Sequence, residues 1–156
     1  MTVIRRFLWI VPVIIGLVFV GAGTYTIGEG FEARDLVRAE LANEQVTTSK
    51  EASIPSALVM DAATAEVQAA TIKEHTYGRF GPYSGMERDD PNRATYIKDL
   101  TLRNSLNMAV LGFKVSELVV GIGALVIGLG FVHMFLIAPV LFWTRPMDHV
   151  ATEATT

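Results

Sequence analysis

The sequence predicts a mainly α-helical protein built as a two-helix transmembrane hairpin. A small, mostly helical extracytoplasmic cap completes it, and the second helix is long enough to extend outside the membrane. Three observations carry this reading. The chain has 156 residues, 51% of them hydrophobic, and no charged residue occurs in 7–28 or in 118–144. At about 1.5 Å per residue these runs are about 33 and 40 Å long, and a bilayer core needs roughly 30 Å. Nearly all the charge lies between them: 29–113 holds thirteen acids and nine bases.

That acidic balance argues against a nucleic-acid partner. The absence of cysteine excludes thiol catalysis, an iron–sulfur cluster, a zinc-thiolate site and a disulfide framework. Arg5 and Arg6 flank the first run and Arg145 follows the second. Basic residues beside a span tend to stay cytoplasmic, and a loop of about 85 residues crosses largely regardless of its charge. The expected plan is a cytoplasmic 1–6, a first span over 7–28, an extracytoplasmic 29–113, a second span over 114–144 and a cytoplasmic tail over 145–156. A cleaved signal peptide is the rival reading of the N-terminus, but its apolar run is longer than a usual signal core.

Taking the elements in order, Pro12 removes a backbone hydrogen bond and is expected to kink the first span near its inner end. Gly28 and Gly30 loosen its exit. A short juxtamembrane helix follows in "FEARDLVRAELANEQ", with Asp35 and Arg38 at a helix-compatible spacing. "QVTTSKEASIPSALVM" is β-branched and proline-broken, so it is one short strand or an extended segment. "DAATAEVQAATIKEHTYG" reads as a helix capped by Asp61 and ended by Gly78, with Val67, Ile72 and several alanines as a thin apolar face. "YGRFGPYSGM" reads as a loop in which Tyr77, Phe80 and Tyr83 seek burial.

"SGMERDDPNRATYIKDL" gathers Glu87, Asp89 and Asp90 before Pro91. Aspartate followed by proline starts a helix, and the added acids suit its N-terminal dipole. The cluster therefore reads as a helix cap, with a weak cation site as the alternative. The helix is expected to run from Pro91 to about Phe142, with Asp99 and Arg103 paired across one turn and Pro139 as its interruption.

His75 falls in the outside segment, His133 within the second span and His149 beyond it. A non-heme iron site needs two histidines and a carboxylate around one cavity, which this order does not supply. His133 reads as a neutral group bonded to a neighbouring helix or near the headgroups, with a heme ligand or proton path as the alternative. No catalytic residue, metal ligand or cofactor is expected.

The glycines are more informative. On a wheel with Gly121 at zero, Ala124 and Gly128 fall at about −60° and −20°; Ser116, Gly123, Gly130 and Gly112 fall between about 180° and 220°. The second span thus has two nearly opposite small-residue faces, and small residues drive close helix packing in lipid. One face can take the first span through Gly16 and Gly23; the other is free for a different helix. Lys114 and Glu117 are expected to pair with each other or to snorkel. Tyr25 and Trp143 fit interface anchoring.

The succession "GAGTY", "ELANEQVTTSKEA", "TAEVQAATIKEH", "ERDDPNRAT" and "LRNSLNMAVLGFKVSELVVGIG" resembles a family of small two-span bacterial membrane proteins often labelled "aromatic ring-opening dioxygenase". The resemblance covers roughly 21–130; its most specific parts are D-D-P-x-R and L-R-x-S-L, and the chain departs from it around "YGRFGPYSGM". It implies a two-span hairpin and no residue-by-residue activity, and its enzymatic label does not fit the histidine order.

The expected function is a non-catalytic accessory subunit of a larger plasma-membrane complex, respiratory or transport. Its expected partners are the lipid bilayer and that complex. The alternative is a stand-alone sensor or ligand-binding protein, as a homo-oligomer.

Overall fold

Two long helices dominate the computed structural model, which describes residues 7–144. The expectations for Arg5, Arg6, Arg145, His149 and the terminal tail lie outside the described residues. Helix α1 spans Ile10–Asn43 and α2 spans Ala62–Phe80. Helix α3 spans Arg93–Val132, continues through a π-helical turn at His133–Ile137, and passes into α4 at Ala138–Trp143. The chain is mainly helical, with no strand among the described residues. α1 and the run from α3 to α4 are each long and apolar enough to cross a membrane. Only 17% and 11% of their most apolar windows are buried, so these helices present apolar side chains outward, unlike the core helices of a water-soluble protein.

Several boundaries differ from the sequence expectation. Pro12 lies in the first turn of α1, where its missing N–H leaves no internal bond unmade, and a turn at Leu8 and Trp9 interrupts the helical run just ahead of it. Gly28 and Gly30 do not loosen the chain: α1 runs through both without a break, so the helix expected after them is the C-terminal part of α1. Helix α2 does not end at Gly78. It continues to Phe80 and closes at Gly81, whose φ of 70° suits a residue without Cβ and whose N–H donates to the Tyr77 carbonyl. Helix α3 starts at Arg93 rather than Pro91. Asp90–Asn92 forms a turn ahead of it, in which the Asp90 carboxylate accepts from the Asn92 N–H at 2.7 Å.

The chain divides into two units, Met1–Ile27 with Gly121–Thr156, and Gly28–Val120. In the first, the N-terminal part of α1 and the C-terminal part of α3 pack antiparallel. Trp9 meets Phe142 edge-on with centroids 5.6 Å apart, and Phe19 meets His133 at 5.4 Å.

In the second unit a small core gathers Val59, Ala65, Ala69 and Leu106, flanked by Leu41, Val46, Ile72 and Val110. The buried stripe of α2 is Ala65, Ala69 and Thr76 with Ile72 beside it. Val67, expected in the apolar face, stands outside this cluster, because it lies two residues, about 160° around the helix, from both Ala65 and Ala69. So thin a core is supplemented by hydrogen bonds. Residues 46–59 form a pair of extended segments joined by an isolated antiparallel bridge, Thr47 to Leu58. There the Thr48 N–H donates to the Ala57 carbonyl at 2.8 Å, and the Val59 N–H to the Val46 carbonyl at 2.8 Å. Gln68, nearly buried on α2, accepts from the Ser49 N–H at 2.7 Å. Arg38 ion-pairs with Asp35 at 3.5 Å, as its spacing predicts, and its Nε donates to the Met60 carbonyl at 3.1 Å.

Asp61 caps α2. Its carboxylate accepts from the Thr64 N–H at 2.8 Å and from the Thr64 hydroxyl at 2.7 Å. The Thr64 backbone bond, reinforced by the hydroxyl, holds the Asp61 carboxyl below its ordinary value of 3.8.

Candidate functional site

The two small-residue faces of α3 have different environments. In the first unit, Gly16 and Gly23 of α1 meet Gly130 and Gly123 of α3 at two close crossings. A Cβ placed on Gly23 would lie 2.6 Å from the Gly123 carbonyl oxygen, and one on Gly123 would lie 2.8 Å from the Gly23 carbonyl oxygen. The Gly16–Gly130 crossing is equally reciprocal, with 2.7 Å in both directions. Real Cβ atoms do not approach backbone so closely, so only glycine permits these contacts. Large aliphatic side chains fill the space beside each glycine: Met134 at Gly16, Ile127 at Gly23, Ile27 at Gly123 and Val20 at Gly130.

The second unit repeats the arrangement. A Cβ on Gly30 would lie 2.7 Å from Val120 and 3.1 Å from the Ser116 carbonyl oxygen, and one on Gly112 would lie 3.0 Å from Val37. Ser116 is buried and donates its hydroxyl to the Gly112 carbonyl at 2.8 Å, so its polarity is satisfied within its own helix.

Gly16, Gly23 and Gly30 are seven residues apart, as are Ser116, Gly123 and Gly130. A strict seven-residue period keeps one face of a helix against its partner in a left-handed supercoil. The sequence reading located these faces by angle but not this period, which is the signal that separates the packed face from the other one. Beyond Gly130 the period slips by one: Ala138 is buried at 4% exposure while Ile137 is 38% exposed. The π-helical turn accounts for the slip, since its i to i+5 bonding, seen in the Ala138 N–H to His133 carbonyl bond, accommodates one extra residue. Pro139 provides the cause, because in a regular helix its ring would press on the carbonyl four residues back.

The opposite face of α3 is open. A Cβ added at Gly121 or Gly128 meets nothing within 4 Å, and Ala124 is exposed. Around them Leu118, Leu125 and Leu129 are exposed, Leu125 to 71%.

The polar candidates have separate surroundings. Lys114 pairs with Glu66 of α2 instead of with Glu117, the partner suggested by sequence proximity. Asp99 accepts from the Thr76 hydroxyl at 3.2 Å instead of pairing with Arg103, whose guanidinium lies 5.8 Å from the Tyr77 ring centroid. Glu87, Asp89 and Asp90 line a shallow cleft with Gly85, Pro91 and Asn92.

Arg93 orders this stretch. Its guanidinium donates to the Glu87 carbonyl at 3.1 Å and to the Tyr83 hydroxyl at 2.5 Å, and it lies 4.6 Å from the Tyr83 centroid. Tyr83 in turn packs on buried Tyr96 at 5.3 Å. The sequence reading weighed the acids here and gave the arginine no role, although its planar fork suits several acceptors at once.

The His133 Nδ1 is 2.8 Å from the Leu129 carbonyl of its own helix, and His75 is exposed on α2. Among the described residues no three His, Cys, Asp or Glu side chains gather in a metal-holding group. No protein-family model, curated protein or solved structure matches this chain.

Proposed function

We propose that the protein is a non-catalytic accessory or structural subunit of a larger plasma-membrane complex of the respiratory or transport class. In this reading the chain crosses the bilayer twice, with both termini cytoplasmic and 29–113 outside. The observation that carries it is the contrast between the two faces of α3. One is filled by α1, and the other, at Gly121 and Gly128, has the same seven-residue glycine spacing with none of the described residues against it. Water-soluble surroundings would not tolerate the exposed leucines around it. In lipid, such a face is suited to a partner helix, because close backbone approach is a main source of association there. The hydrogen-bonded cap outside the membrane supplies a second contact region. Kinship with the small two-span bacterial family belongs to the same proposal, without the ring-opening chemistry of its label.

The test is co-migration. Native membrane is solubilised gently and sized, first with the unaltered chain and then with Gly121→Leu and Gly128→Leu combined. The expected result is a large assembly from which the double variant is released while its own hairpin stays folded. A double variant retained as tightly as the unaltered chain would reject the face. An unaltered chain that migrates alone, as a small homo-oligomer, would favour the sensor reading.

A further inference from the structure

The second unit carries an apolar groove that no element among the described residues covers. It lies between α1 and α3, has a volume of ≈ 540 Å³, and is walled by Ala33, Leu36 and Val37 on one side and Met108, Leu111 and Val115 on the other. These walls are open: Leu36 is 65% and Met108 67% exposed.

Three observations identify what would cover it. The first is height. Leu36 lies seven residues beyond Glu29 on α1, and Met108 nine residues before Glu117 on α3, which places them about 10 and 13 Å past the first charges bounding the apolar runs. The headgroup layer adds only about 5–8 Å per side to the hydrocarbon core, so lipid tails do not reach them.

The second is charge. Glu29, Glu32 and Glu40 lie within about 60° to 80° of one another on the outer flank of the α1 wall, and Arg34 and Arg38 point at least about 140° away from Glu29. None of the three carboxylates has an ion-pair partner among the described residues. The third is the opposite wall, where Met108, Leu111 and Val115 bring no charge of their own. Two copies inserted the same way and meeting groove to groove would be related by a two-fold axis along the membrane normal, which sets each acidic flank against the uncharged α3 wall of the other copy and leaves the carboxylates without a counter-charge.

Resting on the accessory-subunit reading, we infer that this groove docks an amphipathic helix of a different protein, with an apolar stripe flanked by lysine or arginine. The stripe replaces water over Leu36, Met108 and Leu111 in the helix-in-groove mode. The basic flank meets Glu29, Glu32 and Glu40 and sets orientation and encounter rate more than depth of binding.

The test uses the full chain in phosphatidylcholine nanodiscs and two labelled 18-residue helical peptides. Both share a leucine stripe; one has lysine flanks and the other glutamate flanks. The lysine peptide is expected to bind about tenfold more tightly, a preference that shrinks in 1 M salt. Leu36→Asn with Leu111→Asn should weaken it by about tenfold or more. Glu29→Gln, Glu32→Gln and Glu40→Gln together should erase the preference while leaving the apolar binding. Equal affinity for the two peptides, or indifference to the two asparagines, overturns the inference, as does a photocrosslinker at Met108 that joins two copies of this chain. The accessory reading fails separately: it falls if the unaltered chain from native membrane migrates alone, whatever the peptides do.

Discussion

Replacing Gly23 by alanine puts one methyl group where two helices touch. The new Cβ would lie 2.6 Å from the Gly123 carbonyl oxygen, 2.6 Å from an Ile127 side-chain carbon and 2.9 Å from the Ile127 nitrogen, and ordinary contact begins at 3.4 Å. Two of these three atoms are backbone, so a rotamer change cannot relieve the clash. The helices must separate locally by about 0.8 Å, the difference between 3.4 and 2.6 Å. A gap of that size forfeits about a quarter to a half of each contact it opens, and overpacking of this kind costs about 1–3 kcal/mol. Alanine also favours a helix over glycine by about 1 kcal/mol, which would mask part of the loss. Gly21→Ala is the matched control, since its Cβ meets nothing within 4 Å and the propensity gain cancels in the comparison. Gly23→Ala is therefore expected to be less stable than Gly21→Ala by about 1–3 kcal/mol. The chain has no cysteine, so dye pairs on cysteines introduced beside Trp9 and Phe142 report helix separation cleanly as sodium dodecyl sulfate is added to protein in mild detergent. Equal separation midpoints for the two variants would refute the close-crossing argument.

Other expectations concern the second unit. Asp61→Ala should cost about 1 kcal/mol of α2 stability. Because the folded carboxyl titrates below 3.8, its contribution is present above that pH and is lost as the pH falls from there through the lowered native value. Asp61→Asn keeps an acceptor but should flatten that acid dependence in a melting series. The Lys114–Glu66 pair is half exposed, so a double-mutant cycle should return a coupling of about 1 kcal/mol or less, reduced by salt. Arg93→Lys keeps the charge but not the fork; limited proteolysis should cut 84–92 faster in that variant than in the unaltered chain, and equal rates would show that the fork does not order the turn.

Charge-free length was enough to reveal the two long helices, and the Asp61 cap was legible because capping is a local exchange between residues three apart. Less local features were not legible. Lys114 has a nearby acid in Glu117 and a distant one in Glu66; only the folded approach of α2 decides between them. Gly78 and Gly81 are equally good helix stops on paper, and the choice falls where the backbone needs a positive φ. Gly28 and Gly30 suggest a loose exit until the seven-residue period shows Gly30 to be a contact position like Gly23. The wheel separated the faces of α3 by angle, but angle cannot say which is filled. That depends on aliphatic residues of α1, Val20, Ile27 and Val37, each placed against a small residue of α3.

The π-helical turn offers a sharper test of the packing scheme, because it predicts where a deletion is harmless. Eight residues separate Gly130 from Ala138, both buried, where seven would keep a regular helix in phase. The turn at His133–Ile137 accommodates the eighth, and Pro139 holds it open. Deleting Leu136 together with Pro139→Ala removes both the extra residue and the ring, so the chain can close into an uninterrupted α-helix with the former Ala138 seven residues after Gly130. The seam stays in phase, and Leu136 itself is 62% exposed, so the expected loss is under about 1 kcal/mol. Deleting Val126 instead removes a residue from a regular stretch and turns everything beyond it by about 100°. Ile127 and Gly130 would leave the seam, and large side chains would be driven toward Gly16, at a cost of about 3 kcal/mol or more. Comparing the two deletions in the dye-pair titration decides the matter. If Leu136 with Pro139→Ala is as damaging as the loss of Val126, the slipped period is not what keeps Ala138 buried.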